Sequence, residues 1–321
     1  MAKIVSWRYN GSNWFGRRNF VSDKVRGNVM LLLTAMIWGG GFVAQSAGMD
    51  YIGPFTFCAA RYVLAMLALI PVIFFFSVQA RKNPQASLGK KFAPDRVTLW
   101  GGLYCGLTLG VADALQQVGI CYTTAGKAGF ITALYIIMVP LMGRVVGQRI
   151  PKVLAFCVLL AIVGFYFLCV NEELSVGYGD FLILCCAVFF SLHIRVIDYF
   201  MKRKADGIKL SWVQFAVAFV FASGLVGGFE APSLESLWAA RYPLLFAGVI
   251  SSGIAYTLQI LGQKYTDPTI ATLLMSLESV FAVIAGWAVL GEVMNGREIF
   301  GCVLVFIAVL LAQLPLPVLK R

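Results

Sequence analysis

Residues 115–123 read Leu-Gln-Gln-Val-Gly-Ile-Cys-Tyr-Thr, and residues 258–266 read Leu-Gln-Ile-Leu-Gly-Gln-Lys-Tyr-Thr. Five of the nine positions are identical, at a constant separation of 143 residues. The same separation relates Gly110 to Gly253. The chain therefore carries an internal repeat that divides it into two similar halves.

Long apolar runs surround both copies of the repeat. The 321-residue chain is 60% apolar and 13% charged, about half the charged fraction that is usual in soluble domains. A helix needs about 20 apolar residues to cross the hydrocarbon core of a bilayer. Ten such runs occur, near residues 27–46, 54–78, 98–120, 126–146, 151–170, 179–199, 210–229, 240–262, 269–290 and 297–317. Continuous apolar runs are typical of membrane helices, whereas barrel strands alternate.

Each half contains five of these runs, and an odd number reverses the direction of the second half relative to the first. We therefore expect an all-α integral membrane protein with ten transmembrane helices, arranged as two inverted-topology five-helix repeats. The repeats cover residues 27–170 and 179–317, and residues 1–26 form a basic tail. In transporters, this arrangement places a substrate site near the midplane and permits alternating access.

The basic residues indicate the orientation. The chain has 26 Lys and Arg against 15 Asp and Glu, a formal charge of +11. With a cytoplasmic N-terminus, 21 of the 26 basic residues fall in cytoplasmic segments, as the positive-inside rule requires. We expect both termini to be cytoplasmic and the tail to lie against anionic headgroups. The charge excess is thus a topology signal, and we expect no nucleic-acid partner.

Four short motifs follow one another along the chain. They are Ile37-Trp38-Gly39, Ala60-Arg61-Tyr62, Leu277-Glu278-Ser279-Val280-Phe281-Ala282 and Leu290-Gly291-Glu292. In this order they resemble the EamA-like branch of the drug/metabolite transporter superfamily. The resemblance implies a ten-helix carrier of small metabolites, often amino acids or drugs, commonly an exporter driven by protons. Ser279 and Gln148 depart from that family's pattern, which often has proline and an acidic residue there.

Few ionisable residues lie inside the predicted spans, where charges usually face a cavity or a partner. The repeat maps Asp113 onto Tyr256 and Tyr135 onto Glu278, so each half contributes one acid and one phenol. Polar residues also share single helix faces at helical spacing. We predict a substrate site formed by Trp38, Asp113, Gln116, Gln117, Tyr135, Tyr256, Gln259 and Glu278. Asp113, Glu278 and His193 are the candidates for proton coupling.

Each of these residues also has a structural interpretation. The polar faces either line a wet cavity or seal a packed bundle by hydrogen bonds between helices. Asp113 and Glu278 either bind a cation or a proton, or form an ion pair with Arg61 or hydrogen bonds alone. Arg61 either grips a substrate carboxylate or braces the bundle. Trp38 stacks on a cation or packs, and the single histidine, His193, is a packing residue or a proton carrier.

The expected function is a secondary active transporter of a small polar metabolite, an amino acid or an amine, in the cell membrane, with proton-coupled export. The alternatives are an organic cation or drug exporter, a metabolite importer, a passive channel and a membrane-embedded enzyme. No Walker motif occurs, and all eight cysteines lie in apolar runs. We therefore expect no catalysis, cofactor or metal. The expected partners are the substrate, the bilayer and protons, with a monomeric or homodimeric protein.

Overall fold

A computed structural model describes residues 12–82, 93–145, 152–169, 176–266 and 268–312. These residues form helices and short connections, with no β-strand among them. The helices are α1 (Ser12–Gly48), α2 (Pro54–Lys82), α3 (Arg96–Ile120), α4 (Ala125–Thr132), α5 (Tyr135–Val145), α6 (Lys152–Cys169), α7 (Tyr178–Lys202), α8 (Gly207–Phe229), α9 (Leu234–Ala239), α10 (Arg241–Leu245), α11 (Thr257–Gln263), α12 (Pro268–Ser276), α13 (Glu278–Ala285) and α14 (Gly296–Ala312). A π-helical segment, Phe246–Tyr256, joins α10 to α11, and a shorter one, Gly286–Leu290, follows α13.

Seven stretches of the described chain are long and apolar enough to cross a membrane. They are Asp23–Gly48, Pro54–Val78, Ala125–Arg144, Tyr178–Lys202, Gly207–Phe229, Arg241–Gln263 and Ile270–Leu290. Each coincides with one predicted span. The other three predicted spans lie on α3, α6 and α14. The protein is thus a multi-pass helical membrane protein, and the count of ten spans stays a prediction.

The first helix begins earlier than the hydrophobic run. α1 starts at Ser12, so residues 12–26 of the predicted tail continue the first helix. Residues 1–11 of the tail, and residues 83–92 of the predicted linker between the second and third spans, lie outside the described residues.

Two membrane spans are broken at equivalent positions of the repeat. The first break separates α4 from α5 at residues 133 and 134, where the amide of Leu134 donates to the carbonyl of Ile131 at 3.1 Å. The second separates α12 from α13 at Leu277, whose carbonyl accepts from the amide of Val280 at 3.1 Å. Such i to i+3 bonds tighten the helix and interrupt its regular ladder. Each break is followed immediately by a predicted site residue, Tyr135 or Glu278.

The packing of the two halves supports a two-repeat architecture. α6 packs on α14, its counterpart in the other half. α3 packs on α7, and the equivalent helices of the other halves, α11 and α1, also pack together. Likewise α3 packs on α8, and their equivalents, the long π-helical segment and α2, pack together. A two-fold relation between the halves requires each such contact between helices to occur twice, once in each direction. This agrees with two repeats, whose inverted orientation stays a prediction.

Close packing across the two halves depends on Gly39. A Cβ atom on this residue of α1 would lie 2.3 Å from Phe281 Cβ and 2.8 Å from the Phe281 carbonyl carbon on α13. Both distances are shorter than any normal carbon contact. Glycine therefore lets α1 approach α13 where the cavity residues on these helices meet.

We expect Gly39→Ala to destabilise the protein by about 1–3 kcal/mol, because overpacking at a tight contact forces the backbones apart. The measurement is the unfolding temperature in detergent. Gly227→Ala is the control, since nothing lies within 4 Å of the Cβ position at Gly227 in α8. That variant should match the parent protein. Equal unfolding temperatures for all three proteins would contradict the close approach of α1 to α13.

Candidate functional site

A buried cavity lies at the junction of the two halves. Its walls come from α1, α2, α3, α4, α5 and α7, and from α11, α13 and the long π-helical segment. The lining residues are Trp38, Phe42, Gln45, Arg61, Gln116, Thr132, Tyr135, Phe190, Ile194, Ser251, Tyr256, Gln259 and Glu278. The space open to the centre of a water molecule is about 30 Å³, which is room for about two waters. In this conformation the cavity is therefore too small for a molecule of amino-acid size.

Glu278 lines the cavity as the first residue of α13. Its side chain is only 2% exposed, and its Oε1 atom has no hydrogen-bond partner among the described residues. The hydroxyl of Tyr135, the repeat-equivalent residue, lines the same cavity and also has no partner there. A buried carboxylate oxygen without a hydrogen-bond partner is costly. Glu278 is thus the group in this site with most to gain from a cation or a proton.

Asp113 does not line the cavity, although the sequence predicts it as a site residue. Its Oδ2 atom accepts from the Tyr62 hydroxyl at 2.6 Å and lies 3.6 Å from Arg61 Nη2. Its Oδ1 atom accepts from Tyr256 at 3.3 Å. The ion pair with Arg61 was one of the two interpretations of this carboxylate, and it is the one that the geometry shows. Asp113 therefore anchors the wall behind the cavity.

Arg61 belongs to both the wall and the cavity. Its side chain is 2% exposed. Its Nε atom donates to Ser252 at 3.0 Å and its Nη1 atom to Gln45 at 3.3 Å, in addition to the pair with Asp113. These contacts join α1, α2, α3 and the π-helical segment. The bracing interpretation fits this network, because the positive charge is already matched by Asp113.

Trp38 and Tyr256 form an aromatic wall. Their ring centroids are 4.7 Å apart at an angle of 58°. The indole of Trp38 donates to the carbonyl of Ser251 at 3.3 Å, and the Thr34 hydroxyl donates to the carbonyl of Ala255 at 3.1 Å. The π-helical segment thus offers carbonyl groups to side chains of α1. These bonds hold the indole at the edge of the cavity.

The predicted glutamines divide between the cavity and the bundle. Gln116 lines the cavity and donates to Thr132 at 3.2 Å. Gln259 lines it too, with an Oε1 atom that has no partner among the described residues. Gln117 turns away and donates to the carbonyl of Gln45 at 3.2 Å. Cavity lining and interhelical hydrogen bonding therefore both occur.

His193 lies outside the cavity. It is fully buried, and its Nε2 atom is 3.1 Å from Gln214 Oε1 on α8. Its ring packs 6.1 Å from that of Tyr256. The geometry places this candidate behind the aromatic wall. In the part of the chain that the structure describes, no group of three His, Cys, Asp or Glu side chains is arranged to hold a metal ion.

Several cavity residues are absent from the sequence prediction. Phe42 and Gln45 follow Trp38 at i+4 and i+7, so the helical period along the first span would have identified both. Thr132 precedes the break between α4 and α5, and no local pattern marks it. Tyr62, which lies behind the cavity wall and not in it, is also absent from the prediction, because its bond to Asp113 depends on how α2 faces α3.

Two glutamates outside the predicted spans join the halves at one end of the bundle. Glu230, which follows α8, accepts from the amides of Phe55 and Thr56 at 2.9 and 2.8 Å. Glu292 accepts from the amides of Ala125 and Gly126 at 2.8 and 3.1 Å. Each carboxylate from the second half thus caps a helix of the first.

The turn that aims Glu292 depends on the preceding residue. Gly291 has a φ of +67°, in the left-handed region that favours glycine. This geometry explains why glycine precedes glutamate in the Leu290-Gly291-Glu292 motif.

A multi-pass helical protein built from two repeats, with a buried polar cavity at their junction, belongs to the class of membrane transporters. The model of the EamA-like transporter family matches residues 25–170 and again residues 177–314. The chain belongs to the EamA-like transporter family, within the drug/metabolite transporter superfamily. The resemblance seen in the four motifs is confirmed.

Relatives agree with this assignment. An uncharacterized transporter of Archaeoglobus fulgidus is 30% identical over 285 residues, covering 88% of this chain and 84% of the relative. The uncharacterized transporter YoaV of Bacillus subtilis is 22% identical, covering 86% of this chain and 92% of that protein. A solved crystal structure aligns with a TM-score of 0.63 at 16% identity, covering 91% of this chain and 98% of the other. That likeness shows the fold alone.

Proposed function

We propose that this transporter is a secondary active carrier of a small polar metabolite with an amino group, an amino acid or an amine. Transport proceeds by alternating access across the cell membrane, with both termini in the cytoplasm and outward movement coupled to protons. The observation that carries the proposal is the unpartnered Oε1 atom of Glu278 in the cavity.

The charge balance of the cavity favours a cationic group on the substrate. Arg61 and Glu278 are the charged residues among those that line it. Arg61 is matched by Asp113 at 3.6 Å, whereas Glu278 has no comparable partner among the described residues. An ammonium group beside Glu278 compensates its charge, and the rings of Trp38 and Tyr256 offer faces for a cation.

The same balance supports an organic cation without a carboxylate as a second candidate. A substrate carboxylate has to compete with Asp113 for Arg61, whose Nη1 and Nε atoms already donate to Gln45 and Ser252. The carboxylate of an amino acid has to compete in this way, whereas an amine has no carboxylate. The two candidates are therefore distinguished by whether the carboxylate contributes to binding.

Proton coupling arises because the substrate cation and a proton bind to the same carboxylate, that of Glu278. Burial in a low dielectric penalises an empty, ionised Glu278. The carboxylate therefore binds either the substrate cation or a proton. Exchange of one for the other on opposite sides of the membrane couples their movements. A monomer or a homodimer is compatible with this cycle, because one chain supplies the whole cavity.

The broken spans provide a means of movement. Tyr135 and Glu278 stand directly after the two helix breaks, so a change in either break alters the cavity wall. Because the present cavity holds only about two waters, an amino acid requires the halves to separate. In other transporters, discontinuous helices at the repeat interface form the substrate site, and one repeat rocks against the other around it.

Reconstituted liposomes test the proposal. We expect uptake or release of a labelled amine or amino acid to follow an imposed pH step, and a neutral analogue without the amino group to be transported poorly. Methyl esters of the same amino acids separate the two candidates, since they keep the amine and lose the carboxylate. A flux that does not change with the pH step, or faster transport of anions than of amines, would contradict the proposal.

A further inference from the structure

A groove of basic and aromatic residues lies on the outer surface of the bundle, away from the cavity. Two helix faces form it. Arg96, Trp100 and Tyr104 recur every four residues along α3, and Arg195, Tyr199 and Arg203 recur every four residues along α7 and its end. Residues four apart share one helix face. Since α3 packs on α7, the two faces stand side by side.

The residues of the groove surround two adjoining hollows. One is bordered by Tyr104, Arg195, Tyr199 and Arg203, among others, with about 620 Å³ of open space. The second includes Arg96 and Trp100 and shares Tyr104, Tyr199 and Arg203 with the first. The groove is therefore continuous from the end of α7 to Arg195.

Protein atoms leave the aromatic side chains largely uncovered. Trp100 is 54% exposed, Tyr104 49% and Tyr199 50%. Trp100 stacks on Tyr104 with centroids 6.0 Å apart, and the Arg203 guanidinium lies 3.4 Å from the Tyr199 ring centroid. Tryptophan and tyrosine concentrate at the headgroup level of membranes. The groove thus lies where a span meets the polar edge of the bilayer.

The groove has an excess of positive charge, which favours an anionic ligand. Asp198 is its acidic residue and is held by Lys202 at 2.8 Å. The guanidinium groups of Arg96 and Arg195 form no ion pair or hydrogen bond with the described residues. Arg195 lies seven residues before the end of α7, about 10 Å along the helix axis, where a charge without a counterion is unfavourable. Its long side chain reaches toward the headgroups.

We propose that this groove binds the phosphate headgroup of an anionic phospholipid from the leaflet on the basic face of the protein. The phosphate pairs with Arg96, Arg195 and Arg203. The acyl chains of the lipid run along exposed apolar side chains that lie deeper on the same helices, Leu107 and Leu192. The aromatic rings between the arginines pack against the glycerol region. The proposal is independent of the transported substrate.

Native mass spectrometry of the purified protein tests this proposal. The probes are phosphatidylglycerol and phosphatidylcholine with identical acyl chains. We expect the protein to retain phosphatidylglycerol in preference, and the double variant Arg195→Gln, Arg203→Gln to bind it roughly 25-fold more weakly, since each arginine near the surface contributes about fivefold. Phosphatidylglycerol should also raise the unfolding temperature of the parent protein and not that of the double variant.

Arg241→Gln is the matched control. Arg241 also lies beside aromatic rings, 4.5 Å from the Tyr242 centroid and 5.3 Å from that of Trp238, but at a different site. This variant should retain the parent preference. If the double variant fails to fold, Arg203→Gln alone serves, because that side chain is exposed. Equal binding of the two lipids, or unchanged phosphatidylglycerol binding by the Arg195 and Arg203 variants, would overturn the proposal. So would variants that lose a dimer and keep the bound lipid.

Discussion

Replacing Glu278 with glutamine is expected to abolish pH-dependent transport while leaving the protein folded. The neutral amide has nearly the same shape, so packing is preserved, but it cannot exchange a proton or pair with an ammonium group. Loss of one partner from a buried charge pair costs about 2–5 kcal/mol, which corresponds to a roughly 30-fold or greater loss of apparent affinity. The measurement is substrate flux in liposomes with and without a pH step.

Glu235→Gln provides the control for this experiment. It is the same chemical change at an exposed position of α9, away from the cavity. This variant should transport like the parent protein. Glu278→Asp should retain part of the pH response, because it keeps an ionisable group at the site. A Glu278→Gln protein with normal flux and normal pH dependence would show that another group carries the coupling.

The second large effect concerns stability. We expect Asp113→Asn or Arg61→Met alone to destabilise the protein by about 3–5 kcal/mol, because each leaves the other charge buried without its counterion. Asp113 is 0% exposed and Arg61 2%. The double variant should be less destabilised than the sum of the two single changes, since it removes both charges together. Chemical unfolding in detergent measures all three proteins.

A surface ion pair offers the comparison. Lys202 and Asp198 lie 2.8 Å apart on α7, with the lysine 69% exposed. The corresponding changes, Lys202→Met and Asp198→Asn, should each cost about 0.5 kcal/mol or less, because exposed pairs contribute little. If the Arg61 and Asp113 changes were as mild as these and strictly additive, the buried pair would not contribute to the stability of the bundle.

The fold was largely predictable because membrane insertion depends on local properties. A run of about 20 apolar residues is a property of the sequence itself, and the seven described spans coincide with predicted runs. The breaks before Tyr135 and Glu278 were not predicted from the sequence. No glycine or proline marks either position.

The candidate site was predictable only in part. The repeat correctly directed attention to Tyr135, Tyr256 and Glu278, which all line the cavity. It could not distinguish Glu278 from Asp113. Both acids lie inside spans, yet one faces the cavity and the other is bound by Tyr62 and Arg61.

The amino-acid sequence by itself determined that this protein is a helical membrane transporter with two related halves, because hydrophobic length and internal repetition are read along a single chain. Only the tertiary structure decided which carboxylate lines the cavity. Asp113 pairs with Arg61 of α2 and accepts a hydrogen bond from Tyr256, which is 143 residues away in the chain. Such pairing depends on how each helix is rotated against its neighbours, and that rotation is set by packing between distant segments.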